Sequence, residues 1–253
     1  MARYFIEVAY KGTAYSGFQI QQNANSVQAE IEKALKIFFK EQLTLTCSSR
    51  TDAGVHALSN YFHFDCDNLT HQQRLREVIY NLNAILPDDI VVKRIFPVGE
   101  KAHSRFDALS RTYRYAVYQT KDPFVADRAY YYPYILDVEK LQEAASVLTE
   151  YMDFTSFSKR NTQVKSFTCN IFQSEWIAED NLKVYNVEAN RFLRGMVRGL
   201  VGTMLKVGTG KISMTDFQAI IEGKDCTKAD FSTPPQGLCL LQVNYPLTLD
   251  QNL

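Results

Sequence analysis

Cysteine is sparse in this chain and badly placed for cross-linking. Its five residues, Cys47, Cys66, Cys169, Cys226 and Cys239, are odd in number, scattered, and never form a C-x-x-C pair. That pattern argues against a disulfide framework and a structural zinc, and it favours a reducing compartment, the cytoplasm. No apolar run approaches the ~20 residues of a membrane span, and "MARYFIEVAYKG" at the N-terminus alternates like a strand instead of running basic, then apolar, then small. Neither membrane insertion nor export is expected. There is no G-x-G-x-x-G, no P-loop and no G-x-S-x-G, which removes support for nucleotide-cofactor and serine-hydrolase chemistry. Histidine is rare, and the spacing of His56, His63 and Cys66 fits no zinc pattern. No cofactor and no metal are therefore expected. Nor is there an excess of either charge: 28 Lys and Arg balance 28 Asp and Glu.

Composition thus gives no sign of a polyanionic partner, but the distribution of charge does. Lys101 to Arg114 carries Lys101, Arg105, Arg111, Arg114 and His103 against the single acid Asp107. Ala189 to Thr215 carries Arg191, Arg194, Arg198, Lys206 and Lys211 and no acid. Two basic stretches sit in a neutral chain.

Hydrophobic periodicity gives the architecture. The first part reads as a strand at 3–10, a helix at 26–39 capped by Asn25, strands near 43–48 and 58–66, a helix at 72–85 and a strand at 90–96. The helices present Val27, Ile31, Leu35 and Phe38, and Leu75, Ile79, Leu82 and Leu86, as apolar faces; Leu43, Leu45 and Cys47 alternate toward the core. The second part repeats the order with a strand at 111–118, a helix at 138–149, strands near 169–179 and 182–189, helices at 191–207 and 215–222, and a strand at 238–245. The expected class is α+β, built as two tandem ferredoxin-like β-α-β-β-α-β halves, residues 1–100 and 101–253, with antiparallel sheets and an active-site cleft between them. No Gly-, Pro- or Ser-rich linker divides them.

Three stretches carry candidate chemistry. "SSRTDAGVHA", residues 48–57, puts Arg50, Asp52 and His56 into a connection that Ser, Asp and Gly alone could turn. Asp52 reads either as a turn residue, with Gly54 at positive φ, or as a carboxylate kept ionised by a nearby guanidinium and able to act as nucleophile or electrostatic stabiliser. In "LSRTYRYAVY", Tyr113 shares a strand face with Tyr115 and Val117, which suits packing, yet Arg111 and Arg114 flank it as they would flank a base stacked beside phosphates. In "RFLRGMVRGLVGTMLKVG", Phe192, Met196, Leu200, Thr203 and Val207 form a core stripe, while Arg194 and Arg198, four apart, share a face. A partly buried Arg198 needs a carboxylate partner, and Asp52 is the obvious one.

Across nearly its whole length the sequence resembles the tRNA pseudouridine synthases that act on positions 38 to 40 of the anticodon arm. "RTDAGVHA" is the most specific motif, and "YKGTAYSGFQIQ", "SVQAEIEKAL", "HSRFDALSRTYRY", "DFTSF", "FLRGMVRGLVGTMLKVG" and "GLCLLQV" follow the family's order and spacing. The resemblance implies a cofactor-free homodimer that isomerises uridine to pseudouridine in tRNA. It implies Asp52 as nucleophile, Arg50 as the residue that assists base flipping, Tyr113 as the residue that stacks on the flipped base and serves in removing its C5 proton, and Arg198 as the partner of Asp52. It further implies tRNA contacts from His103, Ser104, Arg105 and Phe106 and from the segment around Lys159 and Arg160. This chain departs from the family with Ser49 where Gly precedes Arg-Thr-Asp, with Phe18 in place of Trp, and with Arg191 and Arg194 added in "RFLRG". Its match is weakest over 159–170. The residues alone leave two rivals open: an N-glycosidic-bond hydrolase, for which the strong motifs supply no second acid, and a tandem RNA-binding module in which Asp52 merely turns the chain.

Overall fold

The computed structural model describes residues 2–67, 69, 72–160, 164–246 and 249. The chain divides into two compact units, one comprising the residues up to Leu109 with the C-terminal stretch from Leu240, the other Ser110–Cys239. Both mix helices with antiparallel strands.

The first unit is organised around β1 (Ala2–Tyr10) and β3 (His56–Cys66), which pair antiparallel with Ile6 opposite Phe62 and Val8 opposite Asn60. β4 (Ile90–Val98) lines the other side of β1, while β2 (Thr46–Cys47) and β9 (Leu238–Asn244) lie against β3. One face of β1 and β3 buries Tyr4, Ile6, Val8 and Tyr10 with Asn60, Phe62 and Phe64. Phe18 stacks on Phe62 with centroids 4.8 Å apart and planes 11° from parallel, so phenylalanine at this position still fills a core slot.

Two helices complete this unit, α1 (Val27–Phe39) and α2 (Gln72–Ile85). The N-cap of α1 is Ser26, not Asn25: the Ser26 hydroxyl accepts from Ala29 N–H, while the Asn25 carbonyl is taken by Ser16 N–H. Of the expected α2 stripe, Leu75 and Leu82 are buried, as is Leu86 just past the helix, while Ile79 is only half-buried and Val78 takes its place in the core. The largest departure is β2, which spans two residues where 43–48 was expected. The reason lies in α1. Buried Glu32 accepts Leu45 N–H at 3.0 Å and Gln28 donates to the Leu45 carbonyl at 3.2 Å, so helix side chains take the groups a ladder would use.

The second unit orders its strands β5 (Ser110–Tyr118), β8 (Leu182–Ala189), β7 (Ile171–Glu179), all antiparallel. A two-residue strand unforeseen from the sequence, β6 (Tyr130–Tyr131), runs parallel to β5. Helix α3 (Val138–Val147) packs on β7 and on α4 (Met196–Gly208), and α5 (Met214–Glu222) starts with a Ser213–Asp216 capping box. The stripe Met196, Leu200, Thr203, Val207 is buried as expected. However, α4 begins at 196 and not 191, because Gly195 adopts φ 75°, a left-handed conformation that interrupts the helix and that L side chains rarely adopt. Phe192 and Arg194 precede the helix, so Arg194 and Arg198 do not share a helical face.

Candidate active site

The Asp52 loop is fixed by main-chain contacts and one buried polar network. Asp52 opens a turn closed by its own carbonyl, which accepts Val55 N–H at 3.2 Å, and Gly54 supplies φ 77°. Asp52 is half-buried, between buried Thr51 and exposed Ala53. The motif "YKGTAYSGF" wraps the turn: Phe18 N–H donates to the Thr51 carbonyl at 3.1 Å, Gly54 N–H to the Tyr15 carbonyl at 3.3 Å, and Gly12 N–H to His56 Nδ1 at 3.1 Å. His56 Nδ1 is thereby an acceptor. Gly12 passes so close to the loop that a Cβ there would lie 2.0 Å from the Val55 carbonyl oxygen.

Asn60, with no exposed surface, ties the loop to the sheet. Its Nδ2 donates to the Ser49 carbonyl at 3.0 Å and to the Tyr10 hydroxyl at 3.1 Å, and its Oδ1 accepts Ser48 Oγ–H at 2.8 Å. The Tyr10 hydroxyl lies 2.8 Å from Thr51 Oγ1, one residue before Asp52. A side-chain relay thus runs from two strands to the carboxylate's neighbour. Ser49 is buried at an ordinary negative φ, so the backbone there accepts a Cβ without strain. The sequence reading missed Tyr10 and Asn60. The available signal was Asn60 itself, an amide in phase with Phe62 and Phe64 and so destined for burial with partners.

A second loop, residues 103–107, stands nearby in the same unit. His103 Nδ1 accepts the N–H of Arg105 at 3.1 Å and of Phe106 at 3.4 Å, while Asp107 Oδ2 accepts His103 N–H at 2.8 Å. Ser104 is fully buried and pins the loop: its N–H reaches His63 Nδ1 at 3.2 Å, its hydroxyl reaches the Thr46 carbonyl at 2.8 Å, and its carbonyl accepts the Tyr245 hydroxyl at 2.6 Å. Burial, with Arg3 and His103 adding to it, lowers His63 to about 4. Arg50, His103, Arg105 and Phe106 line one cleft of about 200 Å³ together with Cys47 and Gln19. Burial raises the Cys47 thiol, an effect the Arg50 guanidinium partly offsets by charge and hydrogen bond.

The remaining candidates belong to the second unit. Tyr113, in the middle of β5, is only 9% exposed and meets Phe192 edge-on, with centroids 5.1 Å apart. Arg198 is half-buried on the first turn of α4, where its Nε donates to the Thr233 carbonyl at 2.8 Å and Thr233 Oγ1 donates to the Arg198 carbonyl at 2.8 Å. Lys159 lays its aliphatic stem across Gly195 and its N–H bonds the Arg194 carbonyl at 3.0 Å. Lys159 and Arg160 line a cleft of about 470 Å³ with Thr155, Ser158 and Lys224. Of the weakly matching segment 159–170, residues 161–163 lie outside the described residues.

A half-buried carboxylate on a pinned turn and, in the same unit, a cleft lined by Arg50, His103, Arg105 and Phe106 form an arrangement suited to an enzyme that acts on a polyanionic substrate. The family model described as tRNA pseudouridine synthase matches residues 6–107 and 148–246. The chain belongs to that family. It is 46% identical over 253 residues to the tRNA pseudouridine synthase A of Porphyromonas gingivalis, covering 98% of this chain and 99% of the relative. It is 44% identical to that of Parabacteroides distasonis, covering 97% of each. It is 38% identical to that of Staphylococcus aureus, covering 99% of this chain and 93% of the relative. The protein is an isomerase that converts uridine to pseudouridine in tRNA. Among the described residues no helix is long and apolar enough to cross a membrane.

Proposed function

We propose that the enzyme isomerises uridines at positions 38, 39 and 40 of the anticodon stem-loop, with Asp52 as nucleophile. The reaction breaks the N1–C1′ bond, turns the uracil and rejoins it through C5, with no net redox change and no energy input. A carboxylate that bonds transiently to the substrate lets the base detach and turn while the pocket retains it. The target must first leave its helix, at a cost of a few kcal/mol of unstacking. Arg50 assists that flip, Tyr113 stacks on the extruded base and serves in C5 proton removal, and Arg198 pairs with Asp52. His103, Arg105, Phe106, Lys159 and Arg160 contact the RNA, while Ser104, buried, contributes by holding its loop.

The observation that carries this reading is the Asp52 turn, pinned by Asn60, Tyr10 and Thr51 to a degree that chain reversal alone does not require. Fixing the reacting group in advance is how an enzyme removes entropy from its barrier. The strand order of the first unit, β4-β1-β3 with β2 on the far side of β3, supports a ferredoxin-like half. The family resemblance supports a cytoplasmic homodimer whose protomers combine their basic stretches into one groove. The test is to incubate unmodified tRNA with the enzyme and map the products. Pseudouridine at positions 38 to 40 is expected, whereas free uracil would indicate a glycosidic-bond hydrolase and pseudouridine elsewhere in the tRNA would refute the positional assignment.

A further inference from the structure

We propose that the cleft beside Phe106 holds one unstacked nucleotide of the RNA other than the target uridine, its base against the Phe106 ring and its phosphate between Arg50 and Arg105. The inference rests on the reading of this chain as an RNA-acting enzyme and adds a ligand subsite to it. Phe106 is 74% exposed, yet it sits on a loop whose Ser104 is fully buried. The hydrogen bonds to His103 Nδ1 and Asp107 fix the loop backbone, and the His103 ring packs against Phe106 with centroids 4.2 Å apart and planes at 37°. An aromatic ring left mostly in water forgoes most of the burial that usually stabilises one. It does spare a ligand the cost of ordering the surface it binds.

The surroundings select the ligand. Arg105 stands over the ring, 5.8 Å from its centroid, and Arg50 lines the same cleft. Among the described residues the lining includes no carboxylate. Two guanidiniums beside an exposed ring match a phosphate joined to a planar base. At about 200 Å³ the cleft is smaller than the roughly 300–1,000 Å³ of drug-sized ligand sites, which suits a single base. A base within a duplex hides both faces in the stack, so the occupant is a nucleotide out of the helix. Because His103 Nδ1 accepts from the loop backbone, the ring proton resides on Nε2, which adds a hydrogen-bond donor at this cleft.

The test compares the wild type with Phe106→Ala and Phe106→Trp, using unmodified tRNA and a fully paired RNA duplex as probes. An exposed side chain can be truncated without disturbing the core, so both variants are expected to fold. Phe106→Ala should bind tRNA on the order of 10- to 100-fold more weakly, the range of one lost base–aromatic stack, and bind the duplex as the wild type does. Phe106→Trp should retain tRNA affinity, and its indole emission should be quenched by tRNA but not by duplex; native Trp176, 6% exposed, gives a constant background. Unchanged tRNA affinity in Phe106→Ala, or an equal loss on duplex, overturns the proposal. So does a change of molecular mass on Phe106→Ala without RNA, which would make Phe106 a subunit contact. If the wild type isomerises tRNA while Phe106→Ala binds normally, the subsite alone fails. If Phe106 governs binding but no uridine is isomerised, the proposed reaction alone fails.

Discussion

Replacing Tyr10 with phenylalanine removes one oxygen and leaves the ring packing in place, so its effect isolates the relay behind Asp52. The hydroxyl bonds Asn60 Nδ2 at 3.1 Å and Thr51 Oγ1 at 2.8 Å. Each is worth about 0.5–1.5 kcal/mol net, and losing them leaves the Asn60 amide in a fully buried site with its Nδ2 still bonded to the Ser49 carbonyl. The expected cost is about 2 kcal/mol, or about 4–8 °C in Tm for a chain of this length. The functional effect separates a relay from a mere core contact. Thr51 would no longer be tied to β1, and small misplacement of a reacting group costs up to about 100-fold in rate. Single-turnover pseudouridine formation should therefore slow by about 10-fold or more, while the KM for tRNA stays within about threefold. Tyr10→Phe with reduced stability and an unchanged single-turnover rate would refute the reasoning, and so would a raised KM at constant kcat.

Other perturbations probe the same arrangement from other sides. Gly12→Ala places a Cβ on the Val55 carbonyl, 2.0 Å away, and both atoms belong to constrained backbone; thermal denaturation should show a loss of more than about 3 kcal/mol together with loss of activity. His63 titrates near 4 instead of 6.5, chiefly through burial with Arg3 and His103 beside it, while Asp65 and Asp107 pull the other way. Between those values only the unfolded chain takes up the proton, so stability should fall as pH drops from about 6.5 to 4, by at most about 3 kcal/mol; urea melts of His63→Gln should show a flatter slope in that window, and an identical slope would contradict the assignment. Arg198→Ala should lower kcat for isomerisation more than it weakens tRNA binding, and the reverse pattern would make Arg198 an RNA contact.

Much of this was legible because periodicity and sterics agree locally. Apolar, strand-like runs mark β1, β3, β5 and β8, and α1 and α2 carry apolar stripes, so their existence and near-positions followed from pattern alone. What failed was decided by side chains distant in sequence. Leu45 pairs with Glu32 and Gln28 and not with a strand, and no local pattern reports that. Helix α4 starts late because Gly195 turns left-handed, although the apolar spacing through Phe192 continues as if it were helical. The loop motif announced itself through Arg50, Asp52 and His56. The residues that hold it, Tyr10, Gly12 and Asn60, lie on other elements; the phase of Asn60 with Phe62 and Phe64 announces its burial, but which groups the three residues hold is set only by the pairing of the strands.

Tritium release from tRNA labelled with [5-³H]uridine reads out the step assigned to Asp52. Wild type, Asp52→Ala and Asp52→Asn should be compared at matched tRNA occupancy, measured separately by filter binding. Release by the wild type alone, with all three proteins binding tRNA, is the predicted result. Release by Asp52→Ala at the wild-type rate would return Asp52 to the role of a turn residue and place the nucleophile elsewhere.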